Sequence, residues 1–350
     1  MSSPTKHPSS LQSADANEIP IIDLSRLRSP LLKERKKLAG QIYDACTNVG
    51  FFYIKNHGIP EDLISELHSV TRRFFSLSDD QKMKYYVGKS KKYRGYMPLY
   101  SEQPTGSEVD DPTEQKSMGA LSESFDIGYE IAGDAQRDPN DALPTDTFSL
   151  YGDNQWPGDE LVPGLRETYL RYFAQALDLC RSMMRIFALA LDLEEGFFDD
   201  KLKYPGATSR MLHYPPQPVE GAVVEGLGAH TDYECFTILS QDQVPALQIH
   251  SNTRQGWILA PPIPGTLVVN ISDCLSIWTN KKFKSTIHRV TNLTGQERYT
   301  IPFFFGVDYD TTVSVLPNCI SQERPACSEP FKVGEFVRQQ LGKAYVGFSG

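Results

Sequence analysis

Three side chains of this sequence have the types and spacing of a metal site. His230 and Asp232 lie two positions apart, and side chains two apart in an extended chain point to the same side. His288 follows in a second strand-like segment, residues 284–290. If a barrel returns this segment beside the first, two imidazoles and one carboxylate can face a single ion.

Such a ligand set favours Fe(II) over structural zinc. Two histidines and one carboxylate leave half of an octahedral coordination shell open, as Fe(II) oxygenases require for a co-substrate and O2. A structural zinc site closes its shell with four ligands, usually including Cys. Because an isolated His-x-Asp pair is common, the interpretation depends on His288 and on a cation further along the chain.

That cation is Arg298, which shares one side of the mostly apolar segment 298–305 with Thr300. A guanidinium in apolar surroundings needs a carboxylate partner, because an unpaired buried charge is costly. A bound dicarboxylate would supply one in fork geometry, with the Thr300 hydroxyl adding a hydrogen bond. The sequence leaves a second interpretation equally open, in which Arg298 lies at a barrel rim and pairs with a distant Asp or Glu.

The elements that must position these residues change character along the chain. Apolar spacing predicts helices over 31–49, 60–75 and 165–191, and a buried strand over 51–54. From residue 204 onwards, short β-rich segments alternate with turns and predict an antiparallel sandwich or barrel. These segments are 209–214, 236–240, 246–249, 266–271, 286–291 and 299–306. The polar, Gly- and Pro-rich region 87–156 yields no clear element.

Composition excludes several classes of function. The chain has 350 residues, 40% of them hydrophobic, and a formal net charge of −9, which disfavours nonspecific binding to nucleic acid or to an anionic membrane. No apolar segment approaches the ~20 residues of a membrane span. The six scattered cysteines include no Cys-x-x-Cys pair and predict reduced, mostly buried thiols. We expect a cytoplasmic enzyme that binds neither nucleic acid nor membrane.

The motifs together resemble the 2-oxoglutarate and Fe(II)-dependent oxygenases of the isopenicillin N synthase-like superfamily. Besides the His-Thr-Asp and Arg-Tyr-Thr segments, the matching stretches are 21–24, 50–59, 94–96, 123–128, 212–216 and 278–290. The resemblance implies an α+β fold: a double-stranded β-helix, or jelly roll, with a helical N-terminal region packed against it. The regions expected are a disordered tail (1–18), an N-terminal dioxygenase region (19–145), long helices (146–203), the catalytic jelly roll (204–315) and a C-terminal helical segment (316–350).

Carried over by position, the resemblance implies roles for six residues. His230, Asp232 and His288 match the iron ligands. Arg298 and Thr300 match the 2-oxoglutarate clamp, which commonly ends in Ser, and Tyr214 matches a tyrosine that reaches the co-substrate. Leu212 occupies the place of an Asn that helps to position the co-substrate in plant-type members. Proximity to these motifs also suggests five residues for the substrate pocket: Tyr96, Phe125, Leu212, Phe236 and Phe305.

The function implied is a dioxygenase that uses Fe(II), 2-oxoglutarate and O2 to hydroxylate, desaturate or cyclise a small organic molecule, releasing succinate and CO2. Secondary metabolism is the expected setting. One alternative is an oxidase similar to isopenicillin N synthase, in which Arg298 and Thr300 hold the substrate's own carboxylate. The other is a non-catalytic jelly-roll binding protein that retains metal for stability. Neither the substrate nor the oligomeric state follows from the sequence.

Overall fold

The computed structural model describes residues 18–102, 119–138, 140–145, 147–217, 224–251 and 253–344. The expected tail falls almost entirely outside these ranges. The helices are α1 (Leu32–Asn48), α2 (Glu61–Phe75), α3 (Asp79–Lys82), α4 (Leu165–Ala190), α5 (Asp273–Trp278) and α6 (Val333–Ala344). The strands are β1 (Ile21–Asp23), β2 (Phe51–Lys55), β3 (Gly95–Met97), β4 (Glu123–Gly128), β5 (Thr208–Tyr214), β6 (Leu227–His230), β7 (Phe236–Gln241), β8 (Leu247–Ser251), β9 (Gly256–Leu259), β10 (Thr266–Ile271), β11 (His288–Val290), β12 (Arg298–Phe305), β13 (Thr312–Val313) and β14 (Phe331–Lys332).

Two sheets form the centre of the molecule. The large sheet has eight strands in the order β1-β2-β10-β7-β12-β5-β4-β3, and the small sheet has four in the order β6-β11-β8-β9. Pairing is antiparallel within both sheets except between β1 and β2. One cavity is lined by residues of both sheets. The two sheets therefore face each other across this cavity.

The helical layer covers the other face of the large sheet. Helix α4 matches the helix predicted over 165–191, and its apolar residues are buried. Its Phe173 ring lies 4.8 Å from the ring of Phe303 on β12, and its Phe187 ring lies 5.2 Å from that of Phe236 on β7. Helices α1 and α2 pack against α4. This apolar layer packs against the face of the large sheet that is opposite the cavity.

Side chains along the central strands alternate between the helical layer and the cavity. On β12, Thr300 and Phe304 line the cavity, whereas Phe303 and Phe305 belong to the apolar core. Strands β5 and β7 alternate in the same way. This is the period-two pattern of a pleated strand, and it determines which residues of each strand can reach a ligand.

The N-terminal region contributes directly to the large sheet. Strands β1 to β4 all belong to the large sheet. Residues of the region 19–145 and of the region 204–315 therefore share one sheet. Among their described residues, the region 146–203 contains one α-helix, α4, and the region 316–350 contains strand β14 as well as helix α6. The region boundaries stay a prediction. No helix within the described ranges has the length and apolar character needed to span a membrane.

Gly50 joins α1 to β2 at a point where a side chain does not fit. Its φ is +77°, and a Cβ atom there would lie 2.1 Å from the backbone oxygen of Lys284 and 2.9 Å from the hydroxyl oxygen of Thr286. The segment that it touches leads directly into His288. Gly50 therefore permits the close approach of β2 to a strand that carries a candidate metal ligand.

We expect Gly50→Ala to lower the free energy of unfolding by about 2–4 kcal/mol, because a strained φ and a backbone clash add together. Chemical denaturation of the two proteins measures the difference. The matched control is Gly40→Ala in α1, where nothing lies within 4 Å of the added Cβ and a gain of about 0.5–1 kcal/mol is expected. Equal effects of the two substitutions would contradict the interpretation.

Candidate active site

His230, Asp232 and His288 line the cavity and lie close to one another. His230 ends β6, His288 begins β11, and the two are direct partners in the antiparallel ladder. Nε2 of His230 lies 3.7 Å from Oδ1 of Asp232, and Nε2 of His288 lies 3.8 Å from the same oxygen. One ligand atom from each residue lies within 4.8 Å of the others. This spacing suits three ligands of a single ion.

Hydrogen bonds orient all three side chains. Nδ1 of His230 lies 2.8 Å from the Gly228 carbonyl oxygen, and Nδ1 of His288 lies 3.2 Å from that of Thr286. Because a carbonyl only accepts, each Nδ1 carries the proton and each Nε2 keeps a free lone pair. Oδ2 of Asp232 accepts hydrogen bonds from Thr237 and Asn270, at 2.6 and 2.7 Å, which leaves Oδ1 toward the imidazoles.

Electrostatics favour the forms of these groups that bind metal. Burial alone would raise the pKa of Asp232, but the imidazoles of His288 and His230, with the hydrogen bonds from its neighbours, hold that pKa below its usual value. Burial, reinforced by His230, lowers the pKa of His288 to about 4. At neutral pH the carboxylate is ionised and His288 is neutral, as metal ligation requires. Two nitrogen donors and one oxygen donor fit Fe(II) with open positions.

Arg298 lies in the same cavity and is 1% exposed. Its Nε donates to the Val244 carbonyl and its Nη2 to the Gln241 side chain, both at 3.2 Å. Its Nη1 has no hydrogen-bond partner among the described residues, and none of their ion pairs includes it. Burial works against its charge and lowers its pKa. The rim interpretation, with a distant Asp or Glu as partner, therefore finds no support within these ranges, whereas a carboxylate ligand fits the free Nη1.

The other two residues of the expected clamp lie beside Arg298. Tyr214 on β5 is its direct partner on the neighbouring strand, and the Arg298 guanidinium carbon lies 5.0 Å from the centre of the Tyr214 ring. Thr300 is 1% exposed and lines the cavity together with Tyr214. The structure thus places a cation, a hydroxyl and a phenol around one space.

Of the five residues suggested for the substrate pocket, Leu212 lines the cavity and the other four do not. Phe236 and Phe305 pack in the apolar core, because they occupy the positions of β7 and β12 that face the helices. Phe125 packs against Phe74 of α2, with ring centres 4.7 Å apart. Tyr96 is 2% exposed and donates a hydrogen bond to Glu123. The structure thus places these four side chains outside the lining of this cavity.

Sequence reasoning missed several polar residues of the cavity. Thr237 and Asn270 are partners on neighbouring strands, and a single Asn within the apolar segment 267–271 was a usable signal. Three carboxylates and two guanidinium groups also face the cavity without having been predicted: Arg94, Glu102, Asp126, Arg210 and Glu234. Burial, together with the charge of Asp232, raises the pKa of Glu234 to about 8. Arg94, Glu102 and Asp126 lie in the region 87–156, for which no element could be predicted, whereas Arg210 lies in a predicted strand and Glu234 follows the His-Thr-Asp segment.

A half-open site for one metal ion, next to a buried cation that lacks an anion and inside a two-sheet barrel, defines a non-haem iron oxygenase. The family comparison makes this specific. Residues 19–159 match the model described as "non-haem dioxygenase in morphine synthesis N-terminal", and residues 205–307 match the "2OG-Fe(II) oxygenase superfamily". The chain belongs to the 2-oxoglutarate and Fe(II)-dependent oxygenase superfamily.

Individual relatives agree with this assignment. A 2-oxoglutarate-Fe(II) type oxidoreductase of Emericella nidulans is 36% identical, over 93% of this chain and 90% of its own. Homoarginine-6-hydroxylase of Glycine max is 34% identical, over 95% and 98%. The crystal structure of Neurospora crassa T7H with alpha-KG and 5-formyluracil superposes with a TM-score of 0.76 at 26% identity, covering 95% of this chain and 99% of that one.

These findings confirm the expected double-stranded β-helix with its helical N-terminal region. The protein is a 2-oxoglutarate-dependent oxidoreductase whose cofactors are Fe(II) and 2-oxoglutarate, with O2 as the family's usual co-substrate. Neither an isopenicillin N synthase-like oxidase nor a non-catalytic binding protein is favoured by relatives of this kind.

We expect Asn270→Ala to weaken Fe(II) binding about 10–100-fold, because Asp232 loses a hydrogen bond that orients it. Anaerobic titration of Fe(II) against a competing chelator measures the affinity. Asn318→Ala is the matched control, since its amide donates to the Leu191 carbonyl and lies outside the cavity lining. Unchanged iron affinity in Asn270→Ala would contradict the role assigned to this hydrogen bond.

Proposed function

We propose that His230, Asp232 and His288 bind the Fe(II) and that Arg298, Thr300 and Tyr214 bind 2-oxoglutarate. One observation carries the proposal: three ligand atoms within 4.8 Å share a cavity with a buried guanidinium whose Nη1 is unpartnered within the described ranges. The metal ligands need an ion and the guanidinium needs an anion. Ferrous iron with a chelating dicarboxylate meets both requirements.

The reaction class is oxidation of a small organic molecule by hydroxylation, desaturation or cyclisation. When bound, Fe(II) and 2-oxoglutarate supply the activation of O2 and the oxidative decarboxylation that yields succinate and CO2. The chain's own residues present two Nε2 lone pairs and an ionised carboxylate, and Arg298 with Thr300 orients a carboxylate. Apolar walls exclude water from this space; they include Leu212, Leu227, Leu247 and Val290.

A role in secondary metabolism is part of the proposal. The relatives include kihadalactone A synthase of Citrus sinensis, 33% identical, and azadirone synthase of Melia azedarach, 35% identical, whose names denote the synthesis of specialised organic products. We also propose a cytoplasmic location and no nucleic-acid partner. Five of the six cysteines are free and buried in the structure, as expected in a reducing compartment, and the net charge of −9 disfavours polyanions.

His230→Ala should abolish turnover without unfolding the protein. Removing a ligand from a three-ligand site should reduce Fe(II)-dependent succinate release by at least about 100-fold, because losing even an outer partner costs 10–100-fold. Succinate release and the melting temperature of the iron-free protein are measured together. Succinate release at the wild-type rate would refute the proposed ligand set.

Arg298→Gln should raise the KM for 2-oxoglutarate at least about 30-fold, because truncating one partner of a buried charged pair costs about 2 kcal/mol or more. Succinate formation at varied 2-oxoglutarate concentration gives KM. Thr300→Ser retains the hydroxyl and serves as the control, with KM expected to stay within about threefold. If substrate turned over in the absence of 2-oxoglutarate, the oxidase alternative would replace this proposal.

A further inference from the structure

The cavity contains a buried carboxylate that the binding of iron and 2-oxoglutarate does not use. Glu234 lines it and is 6% exposed. Among the described residues, its carboxylate receives a hydrogen bond only from its own backbone N–H. Buried polar groups almost always have partners, and leaving one without them is costly. Glu234 therefore presents to the cavity a carboxyl group to which no other described residue donates a hydrogen bond.

The two nearby guanidinium groups do not supply that partner, although both lie within electrostatic range of Glu234. Arg210 donates to Asp126 at 2.6 Å and to both oxygens of Glu102 at 2.8 and 2.9 Å. Those carboxylates already match its charge and its fork geometry. Arg210 is consequently committed to an ion-pair network of its own.

Arg94 is held in a different orientation. Its Nη1 and Nη2 donate to the backbone carbonyls of Tyr93 and Leu150, at 3.3 and 3.2 Å. Its Nε side packs against Gly128, where an added Cβ would lie 2.0 Å from Nε. Two of its donor atoms are thus directed to the backbone, its Nε has no hydrogen-bond partner among the described residues, and none of its donors bonds to Glu234.

The stem of the Glu234 side chain is closely packed. A Cβ on Gly306 would lie 3.2 Å from Cγ of Glu234, so this glycine allows the backbone to approach the stem while the residue still lines the cavity. Apolar and aromatic side chains form other parts of the same wall, among them Leu150, Leu212 and Tyr309. An acceptor set in a largely apolar wall is the usual means of orienting a small ligand.

Resting on the proposed function, we propose that Glu234 is a specificity-determining residue that accepts a hydrogen bond from an N–H group of the substrate. The substrate class is then a small nitrogen compound with an amine, amide or ring N–H and an apolar body. A carboxyl group accepts such a bond in either protonation form. Acidic groups outnumber guanidinium groups in the cavity lining, four to three, and this favours the positive end of an N–H dipole over an anionic group.

The test compares paired compounds that differ only in N–H against N–CH3. Thymine with 1,3-dimethylthymine and benzamide with N,N-dimethylbenzamide are titrated calorimetrically into the anaerobic holoenzyme with Fe(II) and 2-oxoglutarate. We expect the N–H member of at least one pair to bind about 10-fold more tightly to the wild type, the upper value for a single hydrogen bond to a neutral group.

Glu234→Leu, which keeps a side chain of similar size, should reduce this ratio to within about threefold. Glu234→Gln retains the acceptor oxygen and should preserve most of the ratio. The matched control is Glu66→Leu, because Glu66 binds Thr168 and Arg171 at the helical surface; its ratio should equal that of the wild type.

Three outcomes would overturn the inference: equal binding of both members of every pair by the wild type, no binding of any N–H compound, or an unchanged ratio in Glu234→Leu. The dissociation constant of 2-oxoglutarate is measured in parallel for each protein. If the wild type failed to bind 2-oxoglutarate in the presence of Fe(II), the proposed function itself would fail. Intact 2-oxoglutarate binding without an N–H preference would reject the role of Glu234 alone.

Discussion

Side-chain alternation along β5, β7 and β12 is the constraint on which the site depends. One face of each strand carries large apolar groups, such as Phe303 and Phe305, that pack in the core shared with α4. The opposite face carries the groups that line the cavity, Arg298 and Thr300 among them. Because a shift of one residue would exchange the two faces, the apolar packing that stabilises the sheet also fixes the register of the functional residues.

The cavity concentrates polar groups that the protein alone leaves incompletely satisfied. Arg298 has an unpartnered Nη1 within the described ranges, and the three candidate metal ligands hold lone pairs toward a shared space. Unsatisfied buried groups reduce stability. They also hold charges and lone pairs in position before ligands arrive, which is the arrangement that electrostatic catalysis needs. Ligand binding should consequently stabilise the fold as well as complete the site.

The candidate metal ligands and the candidate co-substrate cation could be picked out from the sequence because their signals are local. His230 and Asp232 lie two positions apart, as do Arg298 and Thr300. Side chains at this spacing point to the same face of any strand. To place His288 beside His230 and Asp232, it was enough to assume that a later strand of the barrel pairs with the strand of His230. Helix α4 could also be predicted from the sequence, because its apolar residues recur at helical spacing over 26 residues.

The pocket and the edge of the large sheet could not be predicted in this way. Strand β4 is buried along its whole length and includes Glu123 and Asp126, whose charges are matched by Lys82 and Arg210. Those partners are distant in the chain, so the segment shows neither alternation nor an apolar run. Phe304 lines the cavity and Phe305 packs in the core. To predict which of the two faces the cavity, one must know which face of β12 contacts α4, and that depends on tertiary packing.

The ladder partnership of His230 and His288 has a further consequence for the molecule's motions. The two residues face each other on adjacent strands of the small sheet, so an ion bound to both would join β6 to β11 by coordination bonds in addition to amide pairing. Local opening of the small sheet would then require release of the ion. Amide hydrogens of these two short strands should exchange with solvent much more slowly in the metal-loaded protein than in the metal-free one.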